Sequence, residues 1–243
     1  MQDEGWSLRE VRKALKEARG RDFSLGDPAA KQGDVLGSMC TAPHEVAAEA
    51  SALFLETNLG DPAHFPGTAQ LEKEVLDDLK SLLHAPAGAA GRYLTGGTEA
   101  NLLACWLARE KTGRRTIVLS ESAHFSFEKA ARILGMKLHY VPTTPSGHAD
   151  PAAMARAVSK DTALMVAVAG TTELGLVDPI DELGAVAKAK KVLLHVDAAY
   201  GGYILPFLVA ASRIPKPFDF QVVGVWSLAM DPHKMGMATI PGG

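Results

Sequence analysis

Residues 163–169 read ALMVAVA, seven apolar side chains in succession with no polar or charged residue among them. A strand covered on both faces reads this way, because neither side meets water, and such strands belong to mostly parallel sheets. Working outward, short β-rich runs recur at 116–119, 138–141, 163–168, 192–196 and 222–226. Helical runs lie between them at 125–134, at 151–158 (Asp150 as cap, Pro151 at the first position) and at 182–189, and a further helix begins at Thr98. Alternating strands and helices predict an α/β fold, a mostly parallel sheet with flanking helices. The first part of the chain reads as helical instead. Ser7 and Glu10 have capping-box spacing ahead of Leu8, Val11, Leu15 and Ala18. A looser stretch holds Gly26, Pro28 and Gly33. A second helix starts near Pro43, residues 58–67 (NLGDPAHFPG) form a loop, and Leu71, Val75, Leu79 and Leu82 mark a third helix. The chain therefore divides into an N-terminal helical segment and loop, 1–67, and an α/β domain, 68–243.

Composition bounds the function. The 243 residues are 47% hydrophobic and 22% charged, with a formal net charge of −3, so a sizeable core is available and the basic excess of a nucleic-acid binder is lacking. Cys40 and Cys105 match no metal spacing and read as two thiols of a cytoplasmic protein. The N-terminal MQDEGWSLRE has neither the basic nor the apolar region of a signal peptide. Apolar runs fall short of the roughly 20 residues a membrane span needs. The expected setting is cytoplasmic, with no membrane, no nucleic acid and no metal.

In open α/β sheets ligands bind at the carboxyl ends of strands, so the residues after each predicted strand matter most. The run 192–196 delivers Asp197 (HVDAAYGG) to a strand end. A buried carboxylate calls for a cation, whether an arginine, a metal or a protonated ring nitrogen, although a structural Asp could simply cap a turn. The run 222–226 leads into SLAMDPHKMG, with Lys234 in an apolar setting that disfavours its charged form, as a Schiff-base lysine requires. A surface lysine lying along apolar neighbours would look the same. Gly96, Gly97 and Thr98 (YLTGGTEANLL) offer a helix start with free N–H groups, suited to a phosphate or to nothing more than a cap made by Thr98. His124 (SESAHFSFEKA) could stack on a flat ring or sit in solvent, and Gly170, Thr171 and Thr172 (AGTTELG) could bond a phenolic oxygen or their own turn. Each modest explanation suffices singly. A phosphate cradle, a stacking ring, hydroxyl donors, a buried carboxylate and an apolar lysine at successive strand ends together describe a site for pyridoxal phosphate.

The segments TGGTEAN, ESAHFSFEKAA, AGTTELGLVDPID, LHVDAAYGG and DPHKMG, in this order, resemble the group II pyridoxal-phosphate-dependent amino-acid decarboxylases. Within that family GSMCTAPHEVAAE, NLGDPAHFPGTAQLE and DPHKMGMATIPGG look most like the archaeal L-tyrosine/L-aspartate decarboxylase branch. The resemblance implies the aspartate-aminotransferase-like fold type I large domain. It implies Lys234 as the Schiff-base lysine, Asp197 on the pyridinium nitrogen, and His124 on the ring face. Gly97, Thr98, Ser227 and His233 would lie around the phosphate, with Thr172 near the ring or its phenolic oxygen. Related enzymes often have Asn before Pro-His-Lys. This chain has Asp231, whose charge would repel a phosphate, so Asp231 is given no such contact.

The resemblance further implies decarboxylation of tyrosine or aspartate, with glutamate as another candidate, by a homodimer. Family members continue past the lysine into a small C-terminal domain. Nine residues follow Lys234 here, so that domain is expected to be missing. The alternatives are a carbon–carbon lyase of the sphingosine-phosphate-lyase type and an inactive truncated remnant.

Overall fold

The computed structural model describes residues 5–22, 39–212 and 216–243. The loose stretch expected around Gly26, Pro28 and Gly33 lies outside the described residues. Among the described residues, the helices α1 (Leu8–Arg19), α2 (Glu45–Leu53) and α3 (Pro66–Leu82) come first. In α1 the capping box forms in both directions, Ser7 N donating to Glu10 Oε2 (2.8 Å) and Glu10 N to Ser7 Oγ (3.3 Å). α2 starts at Glu45, two residues after Pro43, where His44 Nδ1 caps it by accepting from Val46 N. α3 takes up the last two residues of the expected loop, with Pro66 at its first position.

The remainder is an α/β unit: α4 (Gly97–Thr112), β1 (Thr116–Ser120), α5 (Ser126–Leu134), β2 (Lys137–Val141), α6 (Pro151–Ala157), β3 (Thr162–Val168), α7 (Ile180–Lys190), β4 (Leu193–Asp197), α8 (Leu205–Ala210) and β5 (Val225–Ala229). The five strands are all parallel in the order β2-β1-β3-β4-β5. Parallel crossovers are right-handed, so reversing direction across the sheet changes the face that the helix covers. The step β1 to β2 runs one way and leaves α5 beside α4. The steps β2 to β3 and β3 to β4 run the other way and put α6 and α7 together on the opposite face.

Each face has its own core. Ile117, Leu119, Leu164 and Val166 meet Cys105, Ala108, Phe127 and Ala130 of α4 and α5. Val118, Met165, Ala167, Leu194 and Val196 meet Met154, Ile180, Leu183 and Ala187 of α6 and α7. Every residue of β3 is buried, as its unbroken apolar run demands. No helix among the described residues is long and apolar enough to cross a membrane.

The expected strand at 222–226 is displaced. Val222 closes a turn onto Asp219, and Gly224 adopts φ +107° with its Cα packed against Gly184 of α7, where any Cβ would overlap backbone. That left-handed residue ends the turn, so pairing with β4 begins only at Val225. Ser227 consequently lies inside the strand and not beyond it.

Candidate functional site

The chain leaves β1 for one side of the sheet and, after β2, crosses to β3 on the other. The carboxyl ends of β1 and β3 thus open a crevice where the strand order reverses. A cavity of about 720 Å³ occupies this edge. Its wall takes Gly97 and Thr98 from the start of α4, His124 from the segment after β1, Thr172 from the turn after β3, Asp197 from the last position of β4, and His233 and Lys234 from the segment after β5.

Asp197 is 4% exposed. Its Oδ2 accepts from Asn101 Nδ2 (2.8 Å) and its Oδ1 from Ala199 N (3.1 Å). No lysine, arginine or histidine among the described residues forms an ion pair with it; the nearby cations of the site turn to Asp231 instead. A buried carboxylate on a cavity wall, with no ion-pair partner among the described residues, is costly and leaves room for a positively charged group.

Lys234 Nζ lies 3.1 Å from Asp231 Oδ2, and His233 Nε2 lies 3.8 Å from the same oxygen. Asp231 is 2% exposed, and its Oδ1 is buried with no hydrogen-bond partner among the described residues. Desolvation pushes the Asp231 carboxyl pKa up, with Lys234 pulling the other way. Asp231 stands against the start of α4. A Cβ on Gly97 would approach its Oδ2 to 2.8 Å and Ala199 Cβ to 3.0 Å, so only glycine fits. Gly96 is the cap of α4, at φ +140°, and supplies no side chain. Thr98 is not the cap that its position suggested. Glu99 reaches back to Thr95 N (2.8 Å) and Oγ1 (2.7 Å), and Thr98 is left on the cavity wall.

His124 Nδ1 accepts from Ser126 N (3.2 Å), and its ring lies 4.1 Å from that of Phe125 at 36°. Burial pushes the imidazole pKa down, although Asp197 and Asp231 act against it. Thr171 faces inward and its Oγ1 accepts from Leu176 N (3.0 Å), closing the turn, whereas Thr172 lines the cavity. His233 is fixed through Nδ1 to the backbone of Gly242.

The structure thus brings Gly97, Thr98, His124, Thr172, Asp197, His233 and Lys234 to one cavity. Ser227 does not join them. Its Oγ lies 2.8 Å from His195 Nδ1 in mid-strand. Three further residues matter that the sequence expectations left out or set aside: Asp231, Asn101 on the cavity wall beside Asp197, and the buried His195 beyond Asn101. A polar Asn on the inner face of α4 beside Ala104, Cys105 and Ala108, and a His inside the apolar LLHVD, were the available signals.

Residues 38–241 match the model of the pyridoxal-dependent decarboxylase conserved domain. The chain is 46% identical over 247 residues to the probable L-tyrosine/L-aspartate decarboxylase of Methanocella arvoryzae, covering all of this chain and 63% of that protein. It is 44% identical to the protein of the same name from Methanosphaera stadtmanae, covering 100% and 62%. Among solved structures, the sphingosine-1-phosphate lyase of Burkholderia pseudomallei superposes with a TM-score of 0.88 at 30% identity, over all of this chain and 58% of that one. The glutamate decarboxylase of Lactobacillus brevis gives 0.81 at 23% identity, over 100% and 57%. The chain therefore spans about three-fifths of the length of the relatives it matches.

Proposed function

This chain belongs to the pyridoxal-dependent decarboxylase family, and on that footing we propose that it holds pyridoxal phosphate in the cavity and decarboxylates an L-amino acid to the amine and carbon dioxide. Its fold is the fold type I large domain. Tyrosine or aspartate is the proposed substrate, as in the names of the 46% and 44% identical relatives, with glutamate a further candidate. The observation that carries the reading is Asp197: a buried carboxylate, with no ion-pair partner among the described residues, in the same cavity as a nearly buried lysine.

The residues fit the cofactor. The start of α4 has two glycines and no side-chain cap, which suits a phosphate. Asp197 suits a protonated ring nitrogen, His124 a ring face and Lys234 an aldehyde. In this reading Gly97, Thr98 and His233 surround the phosphate, and Thr172 lies near the ring or its phenolic oxygen. Ser227 was also expected at the phosphate, but its hydroxyl is committed to His195. Residues 68–243 form the cofactor-binding domain and 1–67 an N-terminal segment that precedes it. The active form is proposed to be a cytoplasmic homodimer.

When bound, pyridoxal phosphate supplies the electron sink for the electron pair left as carbon dioxide departs. The chain's own residues prepare for that. Asp197 would hold a proton on the ring nitrogen by its charge, at low cost of reorganisation because it is already held by Asn101 and Ala199 N. His124, whose pKa burial pushes down, would cover a ring face without adding a competing cation. Asp231 Oδ2, 3.1 Å from Lys234 Nζ, holds the amine end of that lysine at the cavity wall and is within reach of its protons. Leu102, Phe125, Val168 and Ile240 keep the walls apolar.

The test is to add pyridoxal phosphate to the purified chain, record the visible absorbance, reduce with borohydride and map the label. A label on Lys234, absent in Lys234→Ala, is expected; a label elsewhere, or an undiminished band in Lys234→Ala, overturns the assignment. Carbon dioxide release from tyrosine, aspartate and glutamate then identifies the substrate. Asp197→Asn should take up cofactor but lose at least about a hundredfold in turnover, the scale of losing one preorganised electrostatic group. The likeness to the sphingosine-1-phosphate lyase of B. pseudomallei favours a second reading, a carbon–carbon lyase. An aldehyde product in place of carbon dioxide would establish it.

A further inference from the structure

From Asp197 the hydrogen bonding continues through Asn101, which shares the cavity wall, into the core at His195 and Ser227. Asn101 Nδ2 donates to Asp197 Oδ2 (2.8 Å) and to Ser126 Oγ (2.9 Å). Asn101 Oδ1 lies 3.0 Å from His195 Nε2, and His195 Nδ1 lies 2.8 Å from Ser227 Oγ. Asn101 and His195 are each 1% exposed. The ring of Phe127 stands edge-on to the imidazole, 6.1 Å between centroids, and closes its apolar side.

The charged end settles the direction of every bond. A carboxylate only accepts, so Asn101 must turn its amide nitrogen toward Asp197. Its carbonyl is then left for His195, which must donate from Nε2. His195 Nδ1 must therefore accept, and Ser227 must donate. Reversing any member sets two donors or two acceptors against each other where burial excludes water, a costly arrangement. One amide orientation, one tautomer and one hydroxyl rotamer are selected together. A protonated His195 would lose the acceptor that Ser227 needs, and burial pushes its pKa down to about 4, so the neutral form persists at ordinary pH.

We propose that Asn101 and His195, backed by Ser227, are positioning residues that hold the Asp197 carboxylate in one orientation for the ring nitrogen of pyridoxal phosphate. The inference rests on the role given to Asp197 above. Asn101 restrains one oxygen while Ala199 N restrains the other, so the carboxylate cannot rotate about its own axis. A carboxylate that is already oriented strengthens its pull on a cation, as partners behind a metal-binding histidine do for the metal.

The first measurement needs no cofactor. In ¹⁵N-histidine NMR of the chain, His195 is expected to be neutral with its proton on Nε2 from about pH 5.5 to 8.5. A proton on Nδ1, or titration in that range, overturns the relay. The second compares variants for pyridoxal phosphate binding. His195→Leu and Asn101→Leu should bind the cofactor about tenfold more weakly, and the pH at which the visible band changes should move by about one unit. His195→Gln, whose amide offers a donor and an acceptor, should stay within about twofold of the wild type. Folded Leu variants with wild-type affinity and an unmoved band would make the network structural only and refute the proposal. If they do not fold, Ser227→Ala decides, since it deletes one hydroxyl: about threefold weaker binding supports the relay and unchanged binding refutes it. A wild-type chain that takes up no pyridoxal phosphate sinks the functional reading and the cofactor-facing role with it. Leu variants that match a cofactor-loaded wild type sink the positioning role alone.

Discussion

Asp231 answers to two partners at once. It pairs with Lys234 at 3.1 Å and lies against Gly97 at the start of α4, where the phosphate is proposed to bind. Its Oδ1 has no hydrogen-bond partner among the described residues, and desolvation raises its pKa. A buried negative charge there opposes an incoming phosphate, and protonation relieves that opposition. Wild-type affinity for pyridoxal phosphate should therefore rise as pH falls through the raised pKa of Asp231. Asp231→Asn should bind more tightly at neutral pH, by about tenfold, and show a flatter pH dependence. Fluorescence titration across pH checks both, and weaker binding by Asp231→Asn would show that the pair with Lys234 matters more than the repulsion. His195 gives a stability prediction of the opposite kind. Its pKa is pushed from 6.5 down to about 4 by burial. Below pH 6.5 the unfolded chain takes up a proton at this residue while the folded chain does not. Its contribution is therefore complete above about pH 6.5 and is lost as pH falls to about 4, by about 3 kcal/mol in all. Urea unfolding at several pH values should show this part of the acid destabilisation missing in His195→Gln.

Elements were legible wherever their boundaries are set locally. β3 followed from an unbroken apolar run, and α6 from Asp150, whose Oδ1 accepts from Ala152 N and Ala153 N. β5 was misplaced because Val222 and Val223 are as strand-like as Val225 and Trp226. Only the packing of Gly224 on Gly184, a contact between distant segments, decides which of them pair with β4. The site inherits the difference, since Ser227 moves from the strand end into its middle. At α4 the cap falls on Gly96, with Glu99 bonded back to Thr95 just before it, an arrangement that the Gly-Gly-Thr string does not reveal. A separate carboxylate fixes the end of β3. Asp178, 3% exposed, accepts from Val168 N and Ala149 N, both at 2.8 Å. Asp178→Asn must set an amide N–H against one of those donors, and should lower stability by about 1–3 kcal/mol in urea unfolding.

At the scale of the whole molecule, the N-terminal helices leave apolar surface uncovered. Leu8 and Leu15 of α1 are 73% and 64% exposed, and Leu53 of α2 is 79% exposed. Yet the segment just before α2 is bonded to the site, Thr41 Oγ1 donating to Lys234 O (2.6 Å) and His44 N to Met237 O (2.8 Å). Exposed apolar stripes of this kind associate. The proposed homodimer should appear as a concentration-dependent dimer in sedimentation velocity, and Leu8→Ser with Leu15→Ser should shift it toward monomer. A chain that stays monomeric at high concentration would remove the dimer from the proposal.

The sequence alone determined the α/β class, the parallel sheet and the short set of polar residues delivered to strand ends. Those depend on local periodicity and on the rule that parallel strands present their carboxyl ends to one edge. Tertiary structure decided what stands behind and between those residues. Asn101, His195 and Ser227 come from a helix and two strands far apart in the chain, and they meet only because α4 packs on β4 and β5. Asp231 reaches the mouth of α4 only because Gly97 has no side chain to hold it off. Contacts of that kind leave no periodic trace in the sequence, because each is made once, between segments that only folding brings together.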